Sequence, residues 1–265
     1  MRSLVVRRTA LAASAAALAL LVTACGGSSD GGSDSSDKAG GDKAAQAGKT
    51  PSAAPAKALT AGELEKAALT QADVKSGKVT TKVPAAEDIA QDKVRTDNPA
   101  CDPLAHLQAG SYVGKPSATV KRSWLGDVQK PEAGAKPEEV MLAALDRTKV
   151  IVTLASYEDG GAEQAMKDLT KAAAACSGGF GYAVNSDKVK IVKVATTDAP
   201  QGADEALAVN ETMDAEGVKA PVKGVVVRKG ATLAYFSAVN LASGASGKDF
   251  AFPAEIVDAQ LAKLK

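Results

Sequence analysis

Few side chains in this 265-residue sequence are equipped for chemistry. There are three cysteines, Cys25, Cys101 and Cys176, and one histidine, His106, in the run Asp102-Pro103-Leu104-Ala105-His106. Nucleophilic catalysis needs a serine or cysteine with a base beside it and a group that orients the base. From residue 58 onward no G-x-S-x-G, S-x-x-K or H-E-x-x-H pattern supplies such a set. His106 therefore reads as a surface or helix-terminal residue. Glycoside hydrolysis needs two carboxyls held about 5–10 Å apart across a cleft. The candidate pairs are Glu138-Glu139 and Asp204-Glu205. Neighbours in a strand point to opposite faces, so these read as a solvated helix start and a turn. Two cysteines and one histidine are too few ligands for a structural metal. The expectation is no catalytic residue, no metal and no cofactor.

Cys25 carries a different chemistry. Arg2, Arg7 and Arg8 precede an uncharged run of mainly Ala and Leu from residue 9 to 24. A basic n-region, an apolar h-region and small residues at its end describe a signal peptide, and the run is short for a membrane-spanning helix. Val22-Thr23-Ala24-Cys25 resembles the bacterial lipobox. That resemblance implies a diacylglyceryl thioether on Cys25, cleavage before it, and acylation of the new amine, with palmitate as a typical chain. Two or more acyl chains give stable attachment, each buried CH₂ contributing about 0.8 kcal/mol. The expected location is the extracytoplasmic face of a bacterial cell membrane. Asn210-Glu211-Thr212 matches a glycosylation sequon, which a bacterial source makes irrelevant.

With Cys25 committed to lipid, Cys101 and Cys176 remain as an even pair in an oxidising compartment, so the default reading is a disulfide. A redox pair would favour a C-x-x-C spacing instead. Without the three signal arginines the chain has 29 basic against 31 acidic residues. That balance argues against nucleic acid as a partner. Aromatic residues are only 3% of the chain, too few for extensive stacking platforms.

Elements must hold these residues in place. Residues 26–57 are mainly Gly, Ser, Asp, Ala and Lys with Pro51 and Pro55 near the end, and cannot bury enough surface to offset the entropy of ordering. Residues 25–57 thus read as a lipidated cysteine with a disordered tether, of end-to-end distance about 30 Å. Gly48-Lys49-Thr50 has the end of a phosphate loop, but Lys43 stands where its first glycine belongs. Residues 58–265 suit one domain. Ala162, Ala165, Met166, Leu169, Ala172, Ala173 and Cys176 recur at helical spacing, and Ser177-Gly178-Gly179 ends that helix. Pro253 opens another, with Ile256, Val257, Gln260, Leu261 and Leu264 on one side. Shorter helices are predicted over 61–69 and 137–145. Strands are predicted over 118–125, 149–157, 189–195, 206–213, 222–228 and 232–239, the last two forming a hairpin around Lys229-Gly230. Runs of strands with helices at intervals predict an α+β domain on a largely antiparallel sheet.

These elements resemble a known set. Leu59-Thr60 opens a helix, and Leu69-Thr70-Gln71-Ala72-Asp73-Val74 looks like a degenerate "LLTPADL" segment. Asn98-Pro99-Ala100-Cys101 follows, then an Ala-rich helix ending in Cys176, an acidic Gly202-Ala203-Asp204-Glu205, the paired strands and a carboxy-terminal helix. The order is similar to the extracellular sensor domain of PknH-type mycobacterial receptor kinases and to the actinobacterial lipoproteins that share it. The resemblance implies an α+β fold with a cleft for an unidentified ligand. Members with two disulfides carry four cysteines, whereas this domain has two.

Phe180-Gly181-Tyr182 sits directly after the cysteine helix, between glycines. It reads either as an aromatic lip on a pocket, making Phe180 and Tyr182 candidate ligand contacts, or as core packing. The functional expectation is a non-enzymatic binding or sensor module taking a small-molecule or protein ligand. The alternative is an assembly lipoprotein acting through protein contacts, which would show an exposed apolar patch.

Overall fold

The structure, a computed structural model, describes residues 56–264. The expected signal peptide, the expected lipidation site Cys25 and nearly all of the expected tether lie outside the described residues.

In chain order the elements are α1 (Ala61–Ala67), β1 (Lys78–Thr80), β2 (Val94–Thr96), α2 (Asp102–Gln108), β3 (Ala118–Leu125), α3 (Pro137–Leu145), β4 (Thr148–Ser156), α4 (Gly161–Ala175), β5 (Phe180–Val184), β6 (Asp187–Thr197), β7 (Glu205–Ala215), β8 (Val218–Lys229), β9 (Thr232–Asn240), α5 (Leu241–Ser246) and α6 (Ala254–Lys263). Among the described residues nine strands form one sheet in the order β1-β3-β4-β9-β8-β7-β6-β5-β2, and every pairing is antiparallel. The α+β expectation holds. Both edges are three-residue strands, short enough to offer little template for a further strand.

Alternation explains how the sheet is covered. In β9, Leu233 and Tyr235 enter one core and Ala234, Phe236 and Ala238 enter the other. The first core lies under α2 and α4, through Leu104, Leu107, Met166 and Leu169. The second lies under α1 and α6, through Leu64, Ile256 and Val257. A central strand buried on both faces needs apolar residues at consecutive positions, hence Val225-Val226-Val227 and Leu233-Ala234-Tyr235-Phe236. Burying one such side chain contributes about 1.5–3 kcal/mol.

Capping places the helices. Thr60 accepts from the Glu63 amide while the Glu63 carboxylate accepts from the Thr60 amide, a reciprocal box that starts α1. Arg122, buried on β3, donates to the Leu69 and Thr81 carbonyls at 3.1 and 3.2 Å and pairs with Glu65, fixing the segment after α1 to the sheet. Pro253 stands at the N-cap of α6, just outside the first-turn position expected of it. Cys101 and Cys176 are joined as expected, their Cα atoms 5.9 Å apart. The bond ties the start of α2 to the end of α4 over one core.

Candidate functional site

The chain leaves α4 at Cys176 and turns through Ser177-Gly178-Gly179 into β5. Gly179 has φ +96°, and a Cβ there would lie 2.3 Å from the Ile191 carbonyl oxygen. Only glycine lets this turn lie against β6, which is irregular between Ile191 and Lys193. A hollow of about 800 Å³ opens on β2, β5 and β6 just beyond that turn.

Strand register sets what faces the hollow. Phe180 and Tyr182 turn to the core under α4, Phe180 buried and Tyr182 packed against it, with ring centroids 5.9 Å apart. Side chains one position off point the other way. On β5 these are Gly181 and Ala183, which barely rise from the backbone. Ala183 stands between Arg95 on β2 and Lys188 on β6, and Gly181 stands beside Lys190, which in turn faces Asp214 on β7. The result is a trough with a low floor on β5 and long cationic side chains on both walls. Adjacent strands lie about 4.8 Å apart, so the walls are about 10 Å apart. The backbone of Phe180–Tyr182 lines it.

The charges of the trough differ in how they are used. Both Asp97 oxygens accept from the Gly181 amide, at 3.0 and 3.1 Å. Asp214 accepts from the Gly217 amide at 2.9 Å and pairs with Lys219. The Lys219 contact, then the Gly217 amide, hold the Asp214 carboxyl below the usual range, and Lys190 adds to the same field. Arg95, Lys188 and Lys190 are exposed and have no ion pair among the described residues. A second hollow of about 320 Å³ lies between β7, β8 and α6. Its cation Lys223 is already taken, 3.0 Å from Asp249 and 5.0 Å from the centre of the Phe250 ring. Asp214 is thus ion-paired and Asp97 is held by a neutral amide, while the three cations have no ion pair among the described residues.

The residues weighed for catalysis are held elsewhere. His106 lies in the last turn of α2, with Nε2 3.2 Å from the Gln91 carbonyl oxygen. Burial lowers its pKa, against smaller opposing effects of Gln91 and Asp102. Asp204 and Glu205 both engage the Arg228 guanidinium, at 3.6 and 2.7 Å, and Asp204 also accepts from the Gly230 amide at 2.7 Å. Glu139 closes the start of α3 by accepting from the Lys136 amide at 2.9 Å. Among the described residues no three His, Cys, Asp or Glu side chains gather into a metal-holding group.

Two features lay beyond sequence reasoning. Glu211 on β7 is 1% exposed, and neither carboxyl oxygen has a hydrogen-bond partner. Burial pushes its pKa up to about 8, slightly opposed by the Gln108 amide, whose own Nε2 is unpaired in the same core. Burial, then the Glu211 charge, raises the Tyr182 phenol. The second is α3, which buries no residue and exposes Val140, Met141, Leu142 and Leu145 near the exposed Leu241 of α5. The trough had one sequence signal, the large-small alternation of Phe180-Gly181-Tyr182-Ala183, which marks a strand with an almost bare outer face.

No protein-family model matches the sequence, and no curated protein matches it. Among solved structures, the extracellular domain of PknH from Mycobacterium tuberculosis is similar at a TM-score of 0.43 and 11% identity, over 78% of this chain and 95% of that one. An uncharacterized protein of Mycobacterium smegmatis, an Rv0999 ortholog, is similar at a TM-score of 0.31 and 10% identity, over 72% of this chain and 87% of that one.

Proposed function

We propose that this protein is a lipid-anchored, extracytoplasmic and non-enzymatic ligand-binding module of sensor type, with the β2–β5–β6 trough as its site. The observation that carries the reading is the trough itself. It is a hollow of ligand size in which Arg95, Lys188 and Lys190 face solvent unpaired while Asp97 and Asp214 are satisfied within the protein. Ligand pockets are typically about 300–1,000 Å³ with a few convergent polar groups. Phe180 and Tyr182 contribute the floor as backbone, with their rings anchoring β5 in the core. Engagement of His106, Asp204 and Glu205 in structural contacts supports a non-catalytic role. The anchor rests on the Val22-Thr23-Ala24-Cys25 motif.

The test is native mass spectrometry of the lipoprotein released gently from its own membrane. A stoichiometric small molecule, lost when Ala183→Trp fills the trough, is the expected result. A bound species unaffected by that variant would move the site elsewhere, and a ligand-free mass would remove the binding reading. Cys25→Ala should abolish both the lipid mass and membrane fractionation.

A second reading, assembly through protein contacts, is favoured by the apolar face of α3. It predicts a partner that crosslinks to Met141 and is released by Met141→Lys with Leu142→Lys.

A further inference from the structure

We propose that the trough binds a ligand bearing an oxyanion, a phosphate ester or carboxylate on a body about one sugar ring wide, gripped by Arg95 from one wall and by Lys188 and Lys190 from the other. This rests on the trough being the site, as read above.

The floor selects for width. The Asp97 carboxylate covers the floor at Gly181, where an added Cβ would lie 2.5 Å from its Oδ2, so a body resting on β5 sits over the Ala183 methyl carbon and backbone, between walls about 10 Å apart. No aromatic ring rises from that floor, because Phe180 and Tyr182 turn to the opposite face. Recognition therefore falls to charge rather than stacking. Cations selective for a neutral ligand would be neutralised by nearby carboxylates. Here Asp214 is paired with Lys219 and the Gly217 amide, while Asp97 is held by the neutral Gly181 amide and keeps its charge, so three unpaired cations face one unpaired carboxylate. Three cations on two walls match the several acceptor atoms of a phosphate or carboxylate, and a guanidinium meets such a group with two parallel bonds.

A soluble or wall-borne solute and a lipid headgroup both carry such an oxyanion, and the experiment separates the two sources.

The experiment uses the full mature chain from residue 25, with Cys25→Ser so that no anchor binds lipid. Amide shifts are followed during titration with glycerol 3-phosphate, glucose 6-phosphate and glucuronate, with glucose and glycerol as neutral controls. Vesicles of phosphatidylglycerol, against phosphatidylcholine, stand for a headgroup. The expected result is that the anionic solutes shift residues 178–191, the neutral ones do not, and affinity falls with salt. Each of Arg95→Gln, Lys188→Gln and Lys190→Gln should weaken binding about tenfold, the size of one charged hydrogen bond. All three are exposed, so an unchanged melting temperature confirms folding. Ala183→Trp should block binding with every cation present.

Glucose binding that Ala183→Trp abolishes and the glutamine variants leave intact would overturn the anion requirement while keeping the trough as the site. Vesicle binding lost in the glutamine variants, without solute binding, would retain the oxyanion, assign it to a lipid headgroup and overturn the soluble ligand. No shift with any probe would overturn the inference. If native mass spectrometry then also shows no ligand, the trough reading fails with it.

Discussion

Substituting Glu211→Gln probes a carboxyl that the core surrounds without giving it a partner. The side chain is 1% exposed and both oxygens are unpaired. Burial raises its pKa from 4.5 to about 8, so over that window the folded chain holds a proton that the unfolded chain has released. Linkage then requires stability to be fully present below pH 4.5 and to fall as pH rises towards 8. The window is about 3.5 pH units, and at 1.36 kcal/mol for each the upper bound is about 5 kcal/mol. Relaxation and water entry reduce such penalties, so a loss of about 2–5 kcal/mol between pH 5 and pH 9 is expected. For a domain of this size that is a fall of about 5–15 °C in melting temperature. Glutamine keeps the shape and carries no proton to lose, so the variant should lack this slope and gain on the parent as pH rises. It brings its own amide to satisfy, at about 1–3 kcal/mol, which offsets the whole curve without restoring the slope. His106 acts in the opposite sense: its lowered pKa gives stability that is present above pH 6.5 and lost as pH falls. That contribution is common to both proteins and cancels in their difference. The assay is urea unfolding of parent and variant at half-unit steps from pH 5 to pH 9. Parallel curves would refute the reasoning, because they would mean that Glu211 titrates as a solvated carboxyl.

Other elements give sharper single answers. The Cys101–Cys176 bond spans 75 positions, and the chain-entropy relation assigns such a crosslink about 4–5 kcal/mol; reduction should lower the melting temperature by about 10–15 °C, and an unchanged value would contradict it. Gly179→Ala places a Cβ against the Ile191 carbonyl at positive φ; a cost above about 1–2 kcal/mol is expected, and a neutral effect by denaturant unfolding would mean that β6 yields there. Tyr157 donates to the Val113 carbonyl and stands 2.7 Å from the Tyr235 hydroxyl, which accepts from the Val113 amide. Tyr157→Phe leaves the Val113 carbonyl unpaired in the core and should cost about 1–3 kcal/mol, measured the same way.

Periodicity made much of the fold legible. The 15-residue α4 repeats its apolar positions at helical spacing, with nothing but alanine, Met166, Leu169 and Cys176 on the buried stripe. The hairpin of β8 and β9 is written in two β-rich runs around Lys229-Gly230. Residues 187–197 and 205–215 exceed the strands expected there because pairing on both sides extends a strand past its apolar centre. β1 and β2 escaped because three residues carry no readable period. α2, seven residues around Asp102-Pro103, escaped because the disulfide and the core beneath it make it a helix.

The expected export signal, the lipobox-like motif, the even cysteine pair and the alternation of apolar residues are local in the chain, and local order was enough to give the class, the expected anchor and the antiparallel sheet. The trough is not local. Arg95 and Lys188 are far apart in sequence and become opposite walls only because β2 and β6 both pair with β5. Whether a cation is free or spent likewise depends on what the fold brings beside it: Lys223 meets Asp249, and the trough cations meet solvent. The same dependence on tertiary neighbours buries Glu211, a charged residue between Asn210 and Thr212 on a predicted strand. Residues 180–184 were not among the predicted strands, and their pairing with β2 and β6 decided both which side of β5 each residue faces and which side was left open.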